Sequence, residues 1–229
     1  MKQNLRRIEA DGREIVLVGT AHVSLESVEE VALAIREEKP DCVCVELDSG
    51  RLQSIQNERG WQELDITKVL REGKGFLLLA NLVLSSFQKR IGQDTGSKPG
   101  DEMKKALEIA KEEGIETCMV DRPIHVTLRR AWARNSLWGK SKLLATLVSS
   151  AFSTEELTAE DVEKLKDQGE MDSMMAELAR ELPAVKEVLR DERDRYLASH
   201  IWTSPGKKVV AVLGAGHLPG TEVIIRELA

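Results

Sequence analysis

Twice in this chain an apolar run ends in Gly-x-x-His and passes into a helix start. Ile15-Val16-Leu17-Val18 precedes Gly19-Thr20-Ala21-His22, and Val209-Val210-Ala211-Val212-Leu213 precedes Gly214-Ala215-Gly216-His217. Short apolar runs bounded by glycine read as buried strands. Glycine at the exit lets the backbone turn tightly and leaves the sheet edge open. Each histidine therefore stands just past the carboxyl end of a strand. That is the edge where open α/β sheets bind ligands. Two imidazoles brought to one edge are the beginning of a metal site.

The stretch between them supplies a carboxylate. Val28, Val31, Ala32 and Ile35 repeat at helical spacing behind Ser24, which reads as an N-cap. Pro40-Asp41 closes that helix, and Cys42-Val43-Cys44-Val45 reads as a strand delivering Glu46 and Asp48 to its exit. Strand, helix, strand is a βαβ unit, with parallel strands and a right-handed crossover. On this reading His22 and Glu46 leave neighbouring strands at the same edge. Before the unit, Asp11-Gly12 between residues 5–9 and 14–18 signals a hairpin.

Further along, 51–92 reads as helical and holds an apolar helix at 76–87, suited to burial or to a dimer contact. Residues 93–100 read as a loop. Asp101 reads as the cap of a helix with Met103, Ala106, Leu107 and Ala110 on its apolar face, ended by Gly114. Residues 115–120 form a further parallel strand that exits into Asp121-Arg122-Pro123. From 124 to about 200 the pattern is helical. It includes a basic, tryptophan-bearing helix over 129–142, a helix start at Thr154, and a helix over 171–200 with a break at Pro183. Pro219-Gly220-Thr221 opens the last helix. The fold class expected is α/β: a mixed central sheet built on βαβ units with a helical insertion layer. It forms a single domain over 1–229, with helical insertions at about 51–98 and 124–204.

Composition narrows the function classes. The net charge of −6 argues against a nucleic-acid partner, whose binders carry a basic excess. Three cysteines without C-x-x-C spacing read as buried reduced thiols, not as disulfides or structural zinc. The amino terminus lacks the apolar core of a signal peptide, and no run reaches the ~20 apolar residues of a membrane span. There is no G-x-S-x-G, so a serine nucleophile has no support. Gly214-Ala215-Gly216 with Gly220 departs from the dinucleotide fingerprint.

The ordered set Gly19–Ser24, Val45-Glu46-Leu47-Asp48 with Arg51, Asp121-Arg122-Pro123-Ile124, Glu192-Arg193-Asp194 and Gly214–His217 resembles the TraB/PrgY family over essentially the whole chain. That family is grouped with the Tiki proteins, erythromycin esterases and ChaN-type haem-uptake proteins. The resemblance implies a central sheet with helical elaborations (EreA/ChaN-like) and a metal-dependent hydrolase, a peptidase using manganese or cobalt, with zinc as a further candidate. It links bacterial members to the shutdown of peptide pheromones. It also implies a membrane region beyond the second Gly-x-x-His, so this chain is expected to be the soluble domain of a membrane-associated protein, with a peptide substrate or ligand and a homodimeric state. The alternative the same resemblance allows is a peptide- or haem-binding regulatory protein without catalysis.

The candidate metal ligands are His22, Glu46 and His217. Glu46 serves either as third ligand or as the base acting on a metal-bound water. Arg122, at its strand exit, serves either to polarise a carbonyl or to form a structural salt bridge. Glu102 opens a helix that feeds the same sheet and either faces the pocket or meets the helix dipole. Glu192, Arg193 and Asp194 enter through the family motif, either at the site or holding the helical layer against it.

Overall fold

The structure, a computed structural model, describes residues 5–20, 25–56, 100–152 and 183–229. Five strands form one mixed sheet: β1 Leu5–Ala10, β2 Arg13–Thr20, β3 Cys42–Val45, β4 Glu116–Met119 and β5 Lys208–Gly214. The spatial order is β1-β2-β5-β3-β4. β1 and β2 are the expected hairpin, and its turn places both Asp11 and Gly12 at positive φ, 49° and 71°. A twisted two-residue hairpin turn needs that conformation at both positions, and Asp-Gly supplies it. The other neighbours in the sheet, β2–β5, β5–β3 and β3–β4, all pair in parallel. The carboxyl ends of β2, β3, β4 and β5 therefore share one edge.

One expectation is corrected here. β2 and β3 are joined by a βαβ connection but do not pair. β5 lies between them, matching Val16 with Val210 on one side and Val43 with Val210 on the other. Strand order depends on long-range pairing, which local periodicity does not encode. The consequence is that the second Gly-x-x-His, not the first, emerges beside Glu46.

Both faces of the sheet are covered. Val16, Val18, Val43, Val45, Val210 and Val212 face α1 (Leu25–Glu38) and α3 (Asp101–Glu112), meeting Val31, Ile35, Met103, Ala106 and Ile109. Their alternates Ile15, Leu17, Cys42, Cys44, Val209, Ala211 and Leu213 face α7 (Glu192–Trp202) and α8 (Leu218–Leu228), meeting Leu197, Ala198, Ile201, Leu218 and Ile225. Each such Leu, Ile or Val contributes about 1.5–3 kcal/mol by leaving water. Cys42, Cys44 and Cys118 are free thiols, the first two buried.

The remaining elements frame the edge. α2 (Ser49–Gln56) leaves directly from β3; α4 (Ile124–Arg134) and α5 (Leu137–Phe152) follow β4. α6 (Pro183–Lys186) runs through a π turn at Glu187–Asp191 into α7. Several sequence boundaries change. Asp101 is the first residue of α3 and not its cap. Gly100 is the cap, at φ 99°, with no capping side chain. The basic stretch 129–142 is two helices, because Asn135 turns extended (φ −80°, ψ 140°) and its side-chain amide donates to the Ala131 carbonyl at 2.6 Å. Pro183 is the first described residue of α6, and the expected break there borders residues outside the described ones. His22, the Ser24 cap, the apolar helix at 76–87, the loop at 93–99, the helix start at Thr154 and residues 171–182 lie outside the described residues. Among the described residues no helix is long and apolar enough to cross a membrane.

Candidate functional site

The site is built where the four parallel strands end. Glu46 follows β3 and keeps its backbone in the ladder, its N–H donating to the Val212 carbonyl at 3.1 Å. Its side chain is 6% accessible and held at both oxygens. Oε2 accepts the backbone N–H of Gly214 at 2.7 Å, and Oε1 accepts Arg193 Nη2 at 2.5 Å. Gly214 is thus both the first glycine of the second motif, still extended at the end of β5, and the donor that fixes Glu46.

His217 ends a 3₁₀ turn, Ala215–His217, between β5 and α8. Its Nδ1 lies 2.6 Å from Asp194 Oδ1, and its Nε2 lies 3.7 Å from Glu46 Oε1. A carboxylate only accepts, so Nδ1 carries a proton, and Nε2 is the ring nitrogen that faces Glu46. Asp194 is itself buried against α8. A Cβ on Gly220 would strike Asp194 Oδ2, which explains glycine at a helical position. Gly19 is required for the same kind of reason, since a Cβ there would collide with the Leu218 side chain.

Asp121, at the exit of β4, anchors the arginines. Its side chain is fully inaccessible. It accepts Arg193 Nε at 3.1 Å and Nη2 at 2.7 Å, its own neighbour's N–H (Arg122) at 2.7 Å, and Arg51 Nη2. Arg51 also donates Nε to Asp48 Oδ2 at 2.6 Å, while Asp48 Oδ1 accepts the N–H groups of Gly50 and Arg51 and so caps α2. Burial works to raise the Asp48 pKa, but Arg51 and the two backbone donors outweigh it and hold it below the ordinary carboxylate value. Burial works to lower the Arg193 pKa; Glu46 and Asp121 outweigh it, so the guanidinium stays charged.

The family-motif triplet divides its work around the first turn of α7. Successive residues on a helix point about 100° apart, so Glu192, Arg193 and Asp194 reach three different partners. Arg193 meets Glu46 and Asp121, and Asp194 meets His217. Glu192 joins the salt bridge to Arg122 Nη1 at 3.0 Å and to Arg130 Nε at 2.7 Å. Arg122 is buried, with Nε on Thr127 Oγ1 at 3.0 Å and Nη2 on the Val188 carbonyl at 3.1 Å. That carbonyl belongs to the π turn, a distortion that recurs at functional sites. Glu102 is fully buried in the first turn of α3, which covers the opposite sheet face from α7.

Sequence reasoning had no assigned place for Asp48, Arg51 and Asp121 as a shared network. The i,i+3 spacing of Asp48 and Arg51 was the readable signal. Arg130 and Thr127, which complete the Arg122 environment, carried none.

The Glu192 carboxyl is held down to about 2, first by its hydrogen bonds from Arg130 and then, against burial, by Arg122. A folded-state value below the unfolded one adds stability above the unfolded pKa, and that stability drains as pH falls through the folded pKa. The chain is therefore expected to lose stability between about pH 4.5 and pH 2 beyond what a general acid titration gives. Glu192→Gln should flatten that slope in urea midpoints measured across the same range. An unchanged slope would remove Glu192 from the linkage.

A five-stranded mixed sheet with helices on both faces, a buried carboxylate at one strand exit and an oriented imidazole at the next defines an α/β protein with its site at the carboxyl edge of the sheet. The profile of the TraB/PrgY/gumN family matches residues 4–229, and the chain belongs to that family. It is 39% identical over 219 residues to an uncharacterised protein of Methanocaldococcus jannaschii, covering 94% of this chain and 54% of that one. It is 31% identical over 241 residues to the TraB domain-containing protein of Homo sapiens and 31% over 243 residues to that of Bos taurus, in each case covering 94% of this chain and 63% of the relative. The chain thus spans between about half and two thirds of the length of these relatives.

Proposed function

We propose that this edge is a divalent-metal site and that the chain is a metal-dependent hydrolase acting on small or unstructured peptides. The observation that carries the reading is the Asp194–His217–Glu46 alignment. A metal-ligating histidine characteristically gives its other ring N–H to a carboxylate, which fixes the tautomer and raises ligand basicity. Asp194 does this for His217. Donors about 2.1 Å from one ion in tetrahedral array stand about 3.4 Å apart; Nε2 and Oε1 stand at 3.7 Å. Among the described residues the carboxylates of Glu46, Asp48 and Asp121 pair with the guanidinium groups of Arg51 and Arg193, and Asp194 pairs with the His217 ring.

His217 through Nε2 and Glu46 through Oε1 would hold the ion, with His22, two residues beyond the end of β2, as the third ligand. These two are a partial set: among the described residues no three His, Cys, Asp or Glu side chains form a complete metal group. A bound divalent ion supplies a water whose pKa is lowered toward 7, the nucleophile that peptide hydrolysis requires. The oxygen and nitrogen donors suit manganese, cobalt or zinc. The chain's own residues orient the site. Gly214 N–H and Arg193 fix the Glu46 carboxylate, Asp121 fixes Arg193, and Asp194 fixes the ring. Arg122, committed to Thr127, Glu192 and Val188, ties α4 and α7 together behind them.

The test is a digest of a broad library of unstructured peptides by the chain with manganese, cobalt or zinc added. Cleavage should appear with one of these metals, vanish with a chelator and be absent in His217→Ala. A library left intact under every metal would sink the peptidase reading.

A further inference from the structure

The outer face of α5 has no part in the site, and its pattern is distinctive. Leu137 and Trp138 are 83% and 80% exposed, an unusual position for two large apolar side chains side by side. Ser141, Leu144 and Ala145 are also exposed. At about 100° per residue these five positions fall within an arc of about 120°. Lys140 and Lys142 lie about 100° to either side of its centre. Leu143, on the far side, is buried and packs in a small cluster with Val185, Trp132 and Leu189. So α5 is fastened to the body by one face and turns a leucine–tryptophan stripe outward between two lysines. The Lys140 ammonium sits 5.5 Å from the Trp132 ring centroid, which keeps it at the rim of the stripe.

Charge is segregated here too. From 124 to 152 the sequence holds Arg129, Arg130, Arg134, Lys140 and Lys142 and no Asp or Glu, in a chain of net charge −6. Arg130 and Arg134 are used within the fold, on Glu192 and Glu187. Arg129 of α4 is exposed as well.

We propose that this face docks on an anionic lipid bilayer. A helix lying in the interface puts Trp and Leu into the headgroup–acyl boundary and snorkels its flanking lysines to the phosphates. The complementarity decides for an anionic surface. The acidic remainder of the chain is repelled by such a surface, and the α4–α5 segment is drawn to it, so the approach has one orientation. The proposal stands on α5 alone and is independent of any metal chemistry at the sheet edge.

The experiment is flotation of the full chain with vesicles of phosphatidylcholine, with and without phosphatidylglycerol. The chain should float with the anionic vesicles and stay behind with the neutral ones, and added salt should weaken the binding. Leu137→Ser combined with Trp138→Ser should lose about tenfold or more in partitioning with an unchanged melting temperature, since neither side chain is buried. Lys140→Gln and Lys142→Gln should each cost about fivefold on anionic vesicles only. Failure of the unmodified chain to float, or equal flotation of the Leu137/Trp138 variant, overturns the proposal. So does light scattering that shows a dimer converted to monomer by that variant without any vesicle binding, which would make α5 a contact between copies of the chain.

Discussion

His217→Ala is expected to abolish manganese and cobalt binding measured by calorimetry, and Asp194→Asn to weaken it by about 10–100-fold with the fold intact. The two substitutions test different links. Alanine removes the donor itself. Asparagine keeps the shape beside Gly220 but loses the charge that holds the proton on Nδ1, which lies 2.6 Å from Asp194 Oδ1. If the amide turns its N–H groups to the ring, Nδ1 becomes the acceptor and the proton sits on Nε2, the nitrogen that would bind the ion. Metal affinity should therefore fall in Asp194→Asn even though Asp194 does not itself face the ion. The competing outcome is informative. If Asp194→Asn cuts peptide cleavage while metal affinity stays put, His217 works as a base without metal, and the ligand assignment fails. Gly220→Ala should resemble Asp194→Asn in binding, because the added methyl displaces the same carboxylate.

Much of this site can be read from local pattern, and what cannot has a physical cause. Apolar runs ending in Gly-x-x-His mark strand exits; the expected tight turn at the glycine is not seen, since Gly19 pairs within β2 and Gly214 is extended (φ −60°, ψ 136°), and at Gly19 the glycine instead admits the close approach of Leu218. The βαβ period places Glu46 at an exit for the same local reasons. The insertion of β5 between β2 and β3 is a different kind of fact. It is decided by pairings between residues some 165 to 195 positions apart, such as Val43 with Val210 and Val16 with Val210. The charge run around Glu192 shows the limit most plainly. By composition it is an ordinary solvated helix face. In the fold, Asp194 is buried against His217 and Arg193 spans Glu46 and Asp121, because a β4 exit 72 residues earlier brings its carboxylate beneath the helix. Spacing within the run carries no record of that partner. The split of the basic stretch into α4 and α5 was readable in principle, since Asn135-Ser136 is a stop followed by a cap, with Ser136 Oγ accepting the Gly139 N–H at 3.1 Å. The face that α5 turns outward depends on Leu143 finding Trp132 and Val185, which only the packed structure decides.

Asp121→Ala is expected to destabilise the chain by about 3–5 kcal/mol, the cost of breaking a buried ion pair by removing one partner. The carboxylate is fully inaccessible and serves two guanidinium groups from two different helices, Arg51 of α2 and Arg193 of α7. Without it Arg193 keeps only Glu46 among these carboxylates and Arg51 keeps only Asp48, so both guanidinium groups lose their shared buried acceptor and the N–H donors aimed at it are left without that partner. For a chain of this length a loss of that size lowers the melting temperature by roughly 6–20 °C. Asp121→Asn should cost less, because an amide oxygen still accepts from one arginine. The exposed Arg7–Glu14 pair provides the control: Glu14→Ala is expected to change stability by no more than about 1 kcal/mol, since both partners are wet. If Asp121→Ala falls within the range of that surface control in urea unfolding, the network is not a buried anchor. Arg193 would then hold Glu46 without help from Asp121, and the preorganisation of that carboxylate would rest on Arg193 and Gly214.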